Sequence, residues 1–230
     1  MRTRLLGTIA LAVLLLGAAE PRSLPPPGAD AWEPLTFRSV ERETVYAPLA
    51  DEAGVRAEAR CAASALVLPL PDLDLARTPV LHWRWRVDRA LEIEDERSKQ
   101  GDDFAARVYV MFRFEPEKAS LLERARQSLG QRLFGTEMPG TALNFVWSSR
   151  EDPGALWTSP YVDSSRMIAV ASGSADGWRS ESVDVVAAYR RAFGEEPPAP
   201  LALGIMTDAD NACQHAEAAY ADFRFAAPSP

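Results

Sequence analysis

The residues best suited to binding chemistry lie on two alternating stretches, 81–88 and 104–112, on either side of an acidic loop. In both stretches polar and apolar residues alternate with the period of two that is typical of a half-buried strand. If the two strands pair antiparallel, their polar side chains share one sheet face, beside a third strand around Asn144. Arginine offers a rigid fork of donors to carboxylates or vicinal oxygens. The sequence therefore predicts a face that binds an acidic or glycan-like ligand, formed by Arg84, Arg86, Arg107, Tyr109 and Asn144.

Three more residues, Trp157, Asp102 and Asp103, complete this candidate site. Trp157 and its neighbour Tyr161 are aromatic residues without a periodic partner in a loop rich in Pro, Gly and Ser, and a loop aromatic can serve as a ligand platform. Asp102 and Asp103 lie at the rim of the predicted face. The alternative is a solvated face that carboxylates cross-link through ion pairs, each of which contributes little to stability.

An enzyme of a different class is the second hypothesis. A carboxylate-dependent hydrolase of the glycosidase type needs two carboxylates on opposite sides of a scissile bond. The loop 94–103 supplies several, namely Glu94, Asp95, Glu96, Asp102 and Asp103. A solvated loop would leave these acids ionised, and nothing in the sequence indicates a raised pKa. We therefore predict no catalytic residue.

The sequence predicts no metal and no cofactor. Asp208, Asp210 and Asn211 form a DxDN motif, but the glycine and the distal glutamate of an EF-hand loop are missing, so we expect a turn there. His82 and His215 have no serine or cysteine pattern that would indicate a catalytic triad.

Composition and the amino terminus indicate the compartment. Residues 1–19 contain two arginines, an apolar run and then small residues, which is typical of a secretory signal, and the run is too short for a membrane span. Without these residues the formal charge changes from -8 to 23 − 33 = −10. An acidic chain is a poor partner for nucleic acid or an anionic membrane. We expect an exported, periplasmic or extracellular protein that is not stably inserted in a membrane.

The remaining patterns predict a mostly β fold. A Pro-rich leader, residues 20–34, precedes a single domain at 35–226. About nine or ten short strands and two helical insertions, at 117–135 and 185–193, favour an antiparallel, jelly-roll-like β-sandwich. Asp184 and Gly194 have the residue types expected at the two ends of the second helix. Cys61 falls on the inward, apolar side of its strand, and the two cysteines can either pair or remain as buried thiols.

Several motifs together carry a family resemblance. WRWRVD, DERSKQGDDFAARVYVMF, LNFVWSSR, RMIAVASG and IMTDADN resemble the bacterial family catalogued as domain of unknown function 3047. The resemblance implies an exported, jelly-roll-like sandwich similar to carbohydrate-binding modules, with no established activity. Ala212 and Cys213 stand where the family pattern has a Thr-Gly-type turn, and YAD stands where YGD is usual. In such sandwiches the first and last strands lie side by side, which predicts a Cys61–Cys213 disulfide.

Overall fold

The structure, a computed structural model, describes residues 20–120, 124, 138–173 and 177–228. Within these residues, thirteen strands, numbered β1 to β13 in chain order, form two sheets. Sheet I consists of β1 (Arg22–Ser23), β3 (Val45–Pro48), β4 (Val55–Arg60), β6 (Val80–Arg89), β11 (Arg179–Asp184) and β13 (His215–Ala226). Sheet II consists of β2 (Glu33–Thr36), β5 (Ala63–Pro69), β7 (Ala106–Phe112), β8 (Thr141–Ser148), β9 (Leu156–Thr158), β10 (Ser165–Ser172) and β12 (Pro200–Asp208).

The strand orders are β11-β6-β13-β4-β3, with β1 on β13, and β2-β5-β12-β7-β8-β10-β9. The β8–β10 pair is parallel and the other strand pairs are antiparallel. The prediction of a mostly β sandwich of two sheets is thus confirmed. Of the two predicted helices, α1 (Val185–Phe193) is present, and most of the other, at 117–135, lies outside the described residues, as does the predicted signal at 1–19.

The core between the sheets follows the alternation of the sequence. Trp83 and Trp85 of β6 point inward and are almost completely buried. Trp85 packs edge-on against Trp147 of β8, with ring centroids 5.5 Å apart. On β7, Val108 and Val110 occupy the same apolar layer. The inward face of each of these strands was therefore predictable from its period.

The predicted pairing of the two arginine-bearing strands is wrong. Strand β6 pairs with β11 and β13 in sheet I, whereas β7 pairs with β12 and β8 in sheet II. Arg84 and Arg86 consequently lie on the outer face of one sheet, and Arg107 and Tyr109 lie on the outer face of the other. Alternation determines which side chains share a face of their own strand, but the pairing of strands depends on residues far away in sequence.

Helix α1 begins and ends as its local signals predict. The Asp184 carboxylate accepts a hydrogen bond from the backbone N–H of Ala187 at 2.8 Å. Gly194 has a left-handed φ of 77°, which ends the helix. Tyr189 on its inner face packs against Phe112.

Residues 20–34, predicted as a leader, contribute to the sandwich in this structure. Strand β1 pairs with the last strand, β13. Trp32 is buried and contacts the ring of Phe223, with centroids 5.9 Å apart. The indole N–H of Trp32 donates to the carbonyl of Pro25.

The predicted disulfide between Cys61 and Cys213 is present, with Cα atoms 4.1 Å apart and a sequence separation of 152. Cys61 lies just beyond the end of β4 and is half-buried, rather than on the inward face as predicted. Cys213 has a φ of 51°, in the region that glycine adopts most readily.

Candidate functional site

The outer face of sheet II carries polar side chains between two apolar clusters. One cluster, on the β8, β10 and β9 side, contains Phe104, Val146, Trp157, Met167 and Ala169. The other, on the β5 and β12 side, contains Ala63, Ala65 and Met206, with Phe37, Val40 and Tyr109 against it. Between them lie Arg107, Tyr109 and Asn144, which we call the central strip. Tyr109 and Asn144 are direct cross-strand neighbours.

Arg107 is buried and forms ion pairs with two aspartates. Its Nε donates to Oδ1 of Asp208 at 2.7 Å, and a second guanidinium nitrogen donates to Oδ2 of the same carboxylate. A further nitrogen lies 3.5 Å from Oδ1 of Asp102. The side chains of Arg107 and Asp208 are only 4% and 2% exposed. The guanidinium therefore serves mainly as a structural counter-ion to these two aspartates.

Burial raises the pKa of the aspartates in this region. The pKa of Asp208 is held well above its usual value by burial, which Arg107 opposes. Burial also raises the pKa of Asp102, again opposed by Arg107. The pKa of Asp103 is raised by burial as well, although the backbone N–H groups of Ala212 and Asn211 stabilise its ionised form. Three buried carboxyl groups therefore lie close to a single arginine.

Asp103 organises the turn after β12. Its carboxylate accepts hydrogen bonds from the backbone N–H groups of Asn211, at 3.1 Å, and Ala212, at 2.7 Å. The DxDN motif is thus a turn, as predicted. One carboxylate oxygen each from Asp103, Asp208 and Asp210 lies within 4.8 Å of the others. Two of these three carboxylates already bind backbone donors or Arg107, so the cluster stabilises the turn.

Two buried polar atoms on this face have no hydrogen-bond partner among the residues that the structure describes. They are Oδ1 of Asn144 and the indole Nε1 of Trp157. The amide nitrogen of Asn144 donates to the sulfur of Met167 at 3.1 Å. Cross-strand pairing places Trp157, Met167, Asn144 and Tyr109 in one row across β9, β10, β8 and β7. Native structures rarely leave buried polar atoms unpaired, so the row marks a place where a partner is expected.

Trp157 is 7% exposed rather than presented on a surface loop. Its three-residue strand, β9, pairs with β10, and its ring packs against Phe104 with centroids 6.3 Å apart. Arg97 lies over the ring, 5.5 Å from its centroid. The expected exposed platform at Trp157 is therefore wrong, because the loop before Phe104 covers this end of the row.

Tyr161 is the exposed aromatic residue at the rim of this face, with half of its surface accessible. Its hydroxyl donates to the carbonyl of Lys99 at 3.1 Å and accepts from Nδ2 of Asn211 at 2.5 Å. It thereby connects the acidic loop to the turn after β12. The composition of its loop was the sequence signal that indicated Tyr161. No sequence pattern near Asp208 indicated that this residue would pair with Arg107.

Arg84 and Arg86 belong to a separate surface on sheet I. Both guanidinium groups lie over the ring of Trp178, 4.8 and 5.1 Å from its centroid. Arg84 also pairs with Glu52 and Asp222, each at 2.5 Å. This arrangement is a salt-bridged sheet face, in agreement with the alternative considered for these two residues.

The acidic loop does not present its carboxylates as a catalytic pair. Glu96 is buried, and its carboxylate accepts hydrogen bonds from the Ser148 hydroxyl and, at 2.5 Å, from the backbone N–H of Ser149. Glu94 and Asp95 are exposed. Asp102 and Asp103 are engaged by Arg107 and by backbone donors, as described above. No observation on the described residues favours the hydrolase.

The fold and this face together define a two-sheet β-sandwich with a polar strip on one outer surface. Within that class, the chain belongs to the family described as "Protein of unknown function (DUF3047)", whose model matches residues 30–224. No curated protein matches the chain.

Several solved structures are similar to the chain at low sequence identity. The family 11 carbohydrate-binding module of a cellulosomal cellulase from Clostridium thermocellum matches with 10% identity and a TM-score of 0.46, over 92% of this chain and 96% of that one. The same family 11 module in complex with a β-1,3-1,4-mixed-linked tetrasaccharide gives 8% identity and a TM-score of 0.44, over 90% and 95%. A family 30 carbohydrate-binding module from that organism gives 10% identity and a TM-score of 0.40, over 92% and 95%.

Among the described residues, no helix has the length and apolar character needed to cross a membrane.

Proposed function

We propose that the protein is an exported module that binds a neutral, polyhydroxylated ligand of the glycan class over the central strip. The observation that carries this proposal is the unpartnered pair of buried polar atoms, Oδ1 of Asn144 and Nε1 of Trp157, in the row that ends at Tyr109. An unsatisfied buried polar atom costs roughly 1–3 kcal/mol. Oδ1 of Asn144 is an acceptor and Nε1 of Trp157 is a donor, and sugar hydroxyl groups can act as both.

The geometry of the row suits an elongated ligand. Trp157 and Asn144 are separated by one intervening strand, hence by two strand spacings of about 5 Å each. Tyr109 lies one spacing further along and is the half-buried member of the row. The loop before Phe104 covers Trp157, so a ligand approaches from the Tyr109 end, and this loop must move aside before the ligand reaches the indole of Trp157. An oligosaccharide fits the span better than a single sugar ring.

The charge of the site favours a neutral ligand over an acidic one. Asp102, Asp103 and Asp208 surround a single buried arginine, which is already paired. An anionic ligand would meet these carboxylates without a free cation to bind it. A neutral glycan avoids this repulsion.

Export is proposed on two grounds. The disulfide between Cys61 and Cys213 is typical of proteins that fold in an oxidising compartment. The sequence of residues 1–19 has the pattern of a secretory signal.

The proposal is tested by calorimetric titration of the purified protein with soluble neutral glycans, such as mixed-linked β-glucan, xyloglucan and glucomannan, and with alginate and polygalacturonate as acidic counterparts. We expect at least one neutral glycan to bind and the acidic ones not to bind. Asn144→Ala and Tyr109→Ala should each weaken binding by about tenfold, the effect of losing one good hydrogen bond or contact.

Arg84→Ala is the matched control, because Arg84 lies on the outer face of the other sheet and should leave the affinity unchanged. The proposal fails if only the acidic glycans bind, if none of the neutral glycans binds, or if Arg84→Ala removes binding while Asn144→Ala leaves it intact.

A further inference from the structure

A second cluster of chemically active side chains lies on the outer face of sheet I, away from the central strip. It consists of Glu58 on β4 and of His215 and Glu217 on β13, and we call it the His–Glu cluster. Glu58 and Glu217 are cross-strand partners, and His215 precedes Glu217 by two residues on the same face. The three side chains therefore converge because of strand register alone.

The histidine nitrogen is directed between the two carboxylates. Nε2 of His215 lies 3.1 Å from Oε1 of Glu217 and 3.3 Å from Oε1 of Glu58. This nitrogen is buried, yet within the described part of the chain it makes no hydrogen bond of acceptable geometry. The three ligand-type atoms lie within 4.8 Å of one another.

These separations match the edges of a metal coordination sphere. For zinc bound to nitrogen and oxygen at about 2.0–2.2 Å, the edge of a tetrahedron is about 3.3 Å. We propose that Glu58, His215 and Glu217 bind a divalent first-row transition ion, with Zn²⁺ as the best fit. One imidazole nitrogen and two carboxylate oxygens make three protein ligands and leave a fourth position open to solvent.

Arg56 orients the two carboxylates for this role. One of its guanidinium nitrogens lies 3.0 Å from Oε2 of Glu58 and 3.1 Å from Oε2 of Glu217. Because Arg56 holds both Oε2 atoms, the two Oε1 atoms are directed toward His215. Hydrogen bonds to ligating carboxylates from outside the coordination sphere are a usual feature of metal sites.

Arg60 competes with a metal ion for one ligand. Its guanidinium donates to Oε1 of Glu58 at 2.6 Å, the same oxygen that faces His215. The Arg60 side chain is 67% exposed, so it can move into solvent when an ion binds. Competition from Arg60 lowers the affinity of the cluster for a metal ion, so replacement of Arg60 should increase that affinity.

The disulfide holds the strand ends that carry the cluster. Cys61 follows the last residue of β4, and Cys213 precedes His215 by two residues. The bridge therefore limits the separation of β4 and β13 where His215 pairs with Arg60. The donor set also separates this cluster from Asp103, Asp208 and Asp210, whose oxygens would suit a hard cation such as Ca²⁺.

The test is a calorimetric titration of the tag-free protein with ZnCl₂, together with the visible absorption spectrum of the Co²⁺-loaded protein. We expect one Zn²⁺ per chain and a tetrahedral Co²⁺ spectrum, with CaCl₂ unable to compete. His215→Ala and Glu217→Gln should weaken Zn²⁺ binding by more than about 100-fold, since loss of an outer-shell partner alone costs 10- to 100-fold. Arg56→Ala should weaken it by about tenfold, and Arg60→Ala should tighten it.

His82→Ala is the matched control, because the chain has two histidines and His82 lies outside the cluster. Melting curves without metal establish that each variant is folded. The proposal is overturned if the parent protein binds no Zn²⁺, if His215→Ala binds as the parent does, or if binding is lost in His82→Ala or in Asp210→Asn instead.

Discussion

Arg107 and Asp208 form a bidentate ion pair across neighbouring strands of sheet II, more than one hundred residues apart in sequence and almost completely buried. The hydroxyl of Tyr220, which extends from sheet I, accepts a hydrogen bond from the backbone N–H of Arg107 at 3.3 Å and donates to the carbonyl of Met206 at 2.6 Å. Tyr220 therefore connects sheet I to the backbone of the two strands that carry the ion pair.

Replacement of Arg107 should destabilise the fold. Arg107→Ala leaves the buried Asp208 without its counter-ion, which typically costs about 3–5 kcal/mol in the free energy of unfolding. This expectation reverses the one drawn from the sequence, in which Arg107 was an exposed ligand-binding residue. Urea denaturation measures the effect, with Arg84→Ala as a half-exposed arginine control that should lose at most about 1 kcal/mol. Equal stability of the two variants would contradict the structural role of Arg107.

The disulfide should contribute strongly to stability. For a separation of 152 residues, the chain-entropy model gives an upper value of about 5 kcal/mol. The double variant Cys61→Ser/Cys213→Ser should therefore have a clearly lower midpoint in urea than the oxidised parent. The reduced parent protein should behave like the double variant, and a midpoint that does not respond to reduction would argue against the bridge.

Stability should fall as the pH rises above the ordinary aspartate pKa. Burial raises the pKa of Asp103 in the folded protein, so the folded chain retains a proton that the unfolded chain releases above about pH 4. This contribution is fully present below that pH and is lost as the pH passes through the raised value. His82, whose pKa burial lowers, acts in the opposite direction below its ordinary pKa of about 6.5.

Comparison of Asp103→Asn with the parent isolates the aspartate contribution, because the effect of His82 is common to both proteins. The asparagine keeps an acceptor for the backbone N–H of Ala212 but cannot ionise. The melting temperature of the variant should decline less steeply between about pH 5 and pH 8. A steeper decline would mean that the Asp103 pKa is lowered in the folded protein.

The sequence predicted the features that depend on residues close together in the chain. Alternation placed Trp83 and Trp85 in the core, and Asp184 and Gly194 marked the ends of helix α1. It could not show that β6 and β7 belong to different sheets, because β6 takes its partner, β13, from the end of the chain. For the candidate site, Tyr109 and Asn144, which the sequence assigned to one face, are cross-strand neighbours in the structure.

Long-range contacts account for the remaining differences at the site. Arg107 has the same alternation as Arg84, but Asp208, from a strand near the end of the chain, neutralises it in a buried position. Trp157 has the sequence surroundings of a loop, but three residues around it pair with β10 and Phe104 covers the ring. No local sequence pattern predicts that β9 pairs with β10 or that Phe104 covers the ring of Trp157.

The indole N–H signals of the six tryptophans provide the most direct test of the proposed glycan site. In a two-dimensional ¹H–¹⁵N NMR titration with the neutral glycan that binds best, each indole reports on its own position in the fold. The signal of Trp157, whose Nε1 has no partner among the described residues, should shift most. Trp178, whose ring contacts Arg84 and Arg86 of sheet I, should not respond. A shift of Trp178 with Trp157 unchanged would place the ligand on the opposite sheet and contradict the account.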